Sequence, residues 1–200
     1  CIEGAIGSSH KIDATYLSHH VNFASTLEEK TKDYGVVLAA SQEFHDICSA
    51  KARKYFRQVD CYRQRGSKAV RRVFTVDVDT SRLVPDEASL AITGKDNYKT
   101  KINERLKNLV QIKDPNYVMA VRLKQDPDLA AVLKAIPKKI VGYYKKMFGL
   151  YSRGEWQSAK RGLNKILKRM KDGPSMFLLE VMRSYAFKPP KRWKGVRVLD

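Results

Sequence analysis

The stretch KYFRQVDCYR-QRGSKA-VRRVFTVDV, residues 54–78, constrains this chain more than any other. Two runs rich in β-branched and aromatic residues flank a short polar segment centred on Gly66, the pattern of two strands joined by a turn. The residues before them extend the pattern. In residues 21–35, Val21, Ala24, Leu27 and Thr31 repeat at helical spacing and Gly35 supplies a stop, so a helix is expected there. VVLAA (36–40) reads as a buried strand, and Ser41 as the N-cap of a short helix through Cys48. CIEGAIG (1–7) reads as a short strand, followed by a loop and a turn that runs into the helix. The order is β-α-β-α-β-β, a half-sheet with helices on one side. Half a sheet has an open edge and an uncovered apolar face, both liabilities. A completing N-terminal portion or a covering partner is therefore expected.

After Thr80 the composition changes. Pro85 and Gly94, among acids and amides, mark residues 81–100 as a linker. From Lys101 the pattern is helical. KINERLKNLVQI stops at Asp114-Pro115, and DPDLAAVLKAI is a second short candidate. Residues 137–151 carry the stripe Ile140, Tyr144, Met147 and Tyr151 behind a first-turn proline. Residues 154–170 carry Trp156, Ala159, Leu163, Ile166 or Leu167, and Met170, with Arg161, Lys165, Lys168 and Arg169 opposite. Residues 173–187 are a third helix, and KPPKRWKGVRVL closes as an extended segment. Tyr151, Gly154, Trp156 and Ala159 resemble a tetratricopeptide hairpin, but one hairpin is not an array.

A hydrophobic fraction of 43% allows a real core, and no apolar run is long enough to cross a membrane. Three cysteines at these spacings fit neither a disulfide framework nor a metal knuckle, so a reducing, intracellular setting is expected. His10, His19, His20 and His45 lack companions at ligand spacing and read as solvated. The chain opens at Cys1, already in strand-like sequence, without a signal peptide, and reads as a fragment of a longer protein. Its net charge of +18 is uneven: residues 134–200 hold 18 Lys+Arg against 4 Asp+Glu. Such a tail attracts polyanions.

GAIGSSHKIDATYLSHHVNFASTLEEKTKDYGV resembles the second half of the catalytic domain of class III nucleotidyl cyclases, above all the protist-type adenylate/guanylate cyclases. In those, K-I-D-A-S-Y-L-S leads into V-N-x-A-S-R-L-E. RQVDCYRQRGS and the strand ending FTVDV resemble that domain's closing strands, and DGPSMFLLEVM with KPPKRWKGVRVL resembles the cyclases' C-terminal extension. The resemblance implies an α+β fold: the second half of a ferredoxin-like cyclase sheet over residues 1–80, the linker, and a mainly helical basic extension over 101–200. It implies a reaction in which the ribose 3′-oxygen of ATP or GTP attacks the α-phosphate and pyrophosphate leaves. Mg²⁺ or Mn²⁺ is expected for the family, on two aspartates of the domain's first half, which is not in this sequence. The site forms between two catalytic domains.

By the resemblance, Asn22 matches the asparagine that positions the ribose. Asp13 matches the purine-reading residue, across a loop two residues longer than the mammalian pattern. Arg65 stands where the family has a lysine on the triphosphate, and a guanidinium keeps that charge. The transition-state arginine four residues after the asparagine is here Thr26, a degenerate catalytic position. Loss of such a donor costs roughly 10²–10³ in rate, about 3–4 kcal/mol. Asp33 and Asp46 do not replace the metal aspartates. Without the resemblance, Asn22 is an ordinary first-turn residue, Asp13 a turn residue and Arg65 an exposed hairpin charge.

Two functions are therefore expected. One is a nucleotidyl cyclase (a lyase) impaired in this chain, completed by a second cyclase domain as a homo- or heterodimer. The other is a pseudo-cyclase that docks within a larger assembly, such as a cilium. For the tail, an acidic protein surface such as that of tubulin, or anionic lipid, ranks ahead of nucleic acid.

Overall fold

The computed structural model describes residues 2–8, 12–79, 81, 95–118, 121, 125–134 and 136–199. Its centre is the expected strand pair, taken here in chain order with its neighbours. β1 (Ile2–Gly7) and β2 (Ile12–Leu17) form an antiparallel hairpin of their own. Then follow α1 (His19–Tyr34), β3 (Ala40–Ser41), α2 (Gln42–Ile47) and α3 (Ala50–Arg53). β4 (Phe56–Gln64) and β5 (Arg71–Val76) pair antiparallel, with Phe56 opposite Val76 and Tyr62 opposite Arg71. Gly66 takes the positive φ, 80°, that their turn requires.

Successive residues of β5 show how the sheet is covered. Val73 joins Leu27, Tyr34, Val59 and Tyr62 in one cluster, while Phe74 joins Ala40 and Phe56 in another. Because neighbouring side chains point to opposite faces, α1 covers one face and α2 the other. His45 of α2 stacks on Phe74 at 4.2 Å. The helices thus lie on both sides of the sheet, not one.

The C-terminal half is α4 (Lys95–Lys113), α5 (Pro127–Val132), α6 (Lys138–Ser152), α7 (Trp156–Leu167), α8 (Gly173–Ser184) and β6 (Arg197–Leu199). The α6, α7 and α8 stripes meet in one cluster around Tyr144, Tyr151, Trp156, Leu163, Leu178 and Met182. The indole N–H groups of Trp156 and Trp193 both donate to the Tyr151 carbonyl, at 3.0 and 2.9 Å. This triple aromatic contact locks the α6–α7 turn to the final segment. That segment then enters the sheet: β6 runs parallel to β4, Tyr62 opposite Arg197, giving the mixed order β3-β5-β4-β6. The fold is α+β, a mixed sheet with flanking helices.

Four further expectations change. VVLAA is not a buried strand: only Ala40 and Ser41 pair, and Val37 is 71% exposed, because β5 offers this segment only Val73 and Phe74 as partners. The turn expected ahead of α1 is strand β2, held by β1. Helix α4 starts at Lys95, inside the stretch expected as linker; residues 82–94 of that linker lie outside the described residues. And residues 173–199 do more than extend the chain: they supply a helix on α1 and a strand on β4. Gly35 and Gly173 make the first contact possible. A Cβ at Gly35 would come within 2.9 Å of the Gly173 Cα, and one at Gly173 would run into the Gly35 carbonyl oxygen.

Candidate functional site

The first turn of α1 is built by Ser18, whose hydroxyl oxygen accepts from the Val21 amide at 3.1 Å. Asn22, Thr26 and Lys30 then follow at four-residue steps on one stripe. Asn22 is exposed. The Thr26 hydroxyl donates to the Asn22 carbonyl at 3.0 Å, so its one proton is occupied within the helix. The stripe lies over the turn end of the β4–β5 pair. Phe23 sits under the Arg71 guanidinium at 4.1 Å, and the Lys30 ammonium lies 5.3 Å from the Tyr62 ring. Arg65, exposed on that turn, gives its backbone N–H to the Leu199 carbonyl at 2.7 Å. Asn22, Thr26 and Arg65 thus share one end of the molecule. Asp13 stands apart on β2, opposite Ile6 in the hairpin register.

A groove of about 650 Å³ adjoins this end, between α1 and α2. Its walls are His19, His20, Phe23 and Leu27 from α1, Leu38 to Ser41 beside β5, and Glu43, Phe44 and Arg71. Neither Asn22 nor Thr26 lines it; they occupy the neighbouring stripe of α1. The groove joins an apolar wall to one cation, one carboxylate and two imidazoles. The hydrogen bond with Ser41 holds the Glu43 carboxyl below its ordinary range.

Among the described residues the carboxylates of Asp77 and Asp172 approach each other, but the Arg57 guanidinium joins them, at 2.6 and 2.7 Å. Asp33 and Asp46 stand on different helices, and the Asp46 carboxylate accepts from Gln42 at 2.7 Å and contacts His45 Nδ1 at 2.9 Å. The His45 and Gln42 hydrogen bonds keep that carboxyl low. Among the described residues, no group of three or more His, Cys, Asp or Glu converges. His10 lies outside the described residues.

Sequence reasoning missed the buried ion networks that join the two halves of the chain. Asp60, wholly buried, accepts from Tyr34 Oη at 3.0 Å, the Cys61 amide at 2.8 Å, and Arg197 Nε and Nη2 at 3.0 and 2.6 Å. Burial, reinforced by the Asp60 charge, pushes the Tyr34 phenol up. Arg57, also buried, donates to Asp77 at 2.6 Å and Asp172 at 2.7 Å, with its guanidinium over the Tyr144 ring. Burial raises the Asp77 carboxyl, against the pull of Arg57. Asp172 also caps α8 through the Ser175 amide at 3.0 Å. An aspartate in the middle of an apolar strand was the available signal. Its partner lies 137 residues away, beyond any local pattern.

Among the described residues no helix is long and apolar enough to cross a membrane. Comparison of the chain with protein-family models, with curated proteins and with solved structures finds no match.

Proposed function

We propose that the chain is a cyclase-like module that does not close the phosphodiester ring by itself and acts as a docking subunit. Its α+β body would be the second half of a ferredoxin-like cyclase sheet, with residues 137–199 packed onto it. The observation that carries the reading is the Thr26 hydroxyl on the Asn22 carbonyl. The stripe that would face a nucleotide's α-phosphate has, at that step, a short neutral side chain whose proton is already engaged. Charge developing on the phosphoryl oxygens needs a preorganised donor or cation there. Asn22 and Arg65, at the same end, support a remnant that still holds the ribose and phosphates of ATP or GTP. Mg²⁺ or Mn²⁺ would have to be brought by a second cyclase domain, because among the described residues Asp33 and Asp46 stand on different helices and the Asp77 and Asp172 carboxylates are already joined through Arg57. The basic tail supports attachment to an acidic protein surface, with a microtubule-based assembly as one setting.

The test is cyclic nucleotide production from ATP and from GTP with Mn²⁺, by the protein and by its Thr26→Arg variant, with nucleotide binding measured in parallel. The expected result is no turnover by either alone, with binding retained and lost on Asn22→Ala. Robust turnover by the unmodified protein would overturn the docking reading. Absence of nucleotide binding in both would overturn the cyclase-like one.

A further inference from the structure

A second groove, of about 590 Å³, opens at the other end of the sheet, where Phe56 faces Val76 rather than where the turn carries Arg65. Its floor is apolar, from Val76, Leu133, Ile136 and Val141. Its walls are lysines in pairs: Lys51 on α3 with Lys54 just past its end, and Lys138 and Lys145 on α6. The single carboxylate in the lining, Asp77, is already bonded to Arg57 at 2.6 Å. The groove therefore presents apolar surface between two unbalanced rows of positive charge.

Gly142 is a separate sign that this space is open. It sits inside α6, lines the groove, and a Cβ built there meets nothing within 4 Å. Glycine inside a helix is disfavoured relative to alanine, and here its bare backbone leaves the wall recessed between Lys138 and Lys145.

We propose that this groove binds an acidic amphipathic peptide segment of a partner protein, apolar residues on the floor and carboxylates against both lysine rows. The spread of charge selects this occupant. Lys138 and Lys145 are seven residues apart, about 10 Å along the helix, and lysines line the facing wall too. One phosphate group cannot span that. A flat bilayer cannot reach the recessed floor, and a nucleic-acid backbone would leave the apolar floor unused. A helical peptide with apolar side chains at i, i+3, i+4 and i+7 meets both demands. The inference extends the docking reading, and its test contains no nucleotide, so either can fail without the other.

The probe is a fluorescein-labelled 14-residue peptide of Glu, Ala and Leu with leucines at that spacing, followed by anisotropy. Comparison probes are polyglutamate of equal length, phosphatidylserine vesicles and a single-stranded oligonucleotide. The peptide is expected to bind more tightly than polyglutamate, and more weakly as salt rises. Gly142→Leu should weaken it at least tenfold without lowering the melting temperature, since the new side chain enters empty space and leucine is the better helix former. Lys138→Glu with Lys145→Glu should do the same, whereas Lys165→Glu, on α7 outside the groove, should change binding less than threefold. Equal binding of polyglutamate, or peptide binding indifferent to Gly142→Leu, would overturn the proposal. So would binding of vesicles or oligonucleotide in its place.

Discussion

Replacing Arg197 by alanine isolates the join between the end of the chain and its sheet. Asp60 is 0% exposed, and four donors serve its two oxygens. Arg197→Ala removes two of them and the only positive charge among the four, while β6 keeps its backbone pairing to Tyr62. Breaking a buried pair by deleting one partner costs about 3–5 kcal/mol. Tyr34 and the Cys61 amide still solvate the carboxylate, so the lower end, about 3 kcal/mol, is expected. In a domain of this size that is a fall of about 6–12 °C in Tm. Thermal unfolding followed by circular dichroism reads it. The decisive comparison is Asp60→Asn in the Arg197→Ala background. If an uncompensated buried charge is what destabilises the single variant, neutralising it should recover part of the loss. A fall of less than about 2 °C in Arg197→Ala, or no recovery on neutralising Asp60, would refute the reasoning.

Three further outcomes follow from other features. Gly173→Ala should destabilise by about 2–3 kcal/mol in urea titration, because its methyl would strike the Gly35 carbonyl; a neutral result would mean that α1 and α8 separate easily. Glu43 has a depressed carboxyl, so its contribution is full above the ordinary glutamate range and is lost as pH falls through its lower folded value. The protection factor of the Phe44 amide, which donates to Ser41 Oγ at 3.2 Å, should therefore drop in that acid window, below about pH 4, and stay level above it. Burial pushes the Cys61 thiol up, so iodoacetamide at pH 8 should modify Cys48 and spare Cys61 until denaturant is added, as mass spectrometry would show.

The sequence announced local structure well and distant pairing poorly, for physical reasons. The stripe of residues 154–170 has a single solution, an amphipathic helix, and α7 follows it. Gly35 stops α1 because its αL backbone, φ 61°, closes the last turn. VVLAA misled because β-branched composition favours a strand only where a neighbour offers hydrogen bonds, and β5 reaches just Ala40 and Ser41. IDATYL hid a strand because its partner among the described residues is the equally short β1. β6, three residues long, has no period to detect. Of the candidate site, the four-residue step that puts Asn22 and Thr26 on one stripe of α1 was legible from helical spacing, but the hydrogen bond between them was not. The groove at Gly142 could not: an isolated glycine in a helical pattern marks only a cost until the wall opposite it is known.

The late strand also orders events during synthesis. Asp60 leaves the ribosome 137 residues before Arg197, an interval of roughly 7–27 s at cellular translation rates. Throughout it the nascent hairpin of β4 and β5 lacks its β6 neighbour beside Tyr62, and the Asp60 carboxylate lacks its Arg197 counter-charge. Contacts so distant along the chain slow the final step. The nascent chain therefore spends that interval as an open-edged intermediate, the state in which a chaperone, or a misplaced strand from another chain, has its opportunity.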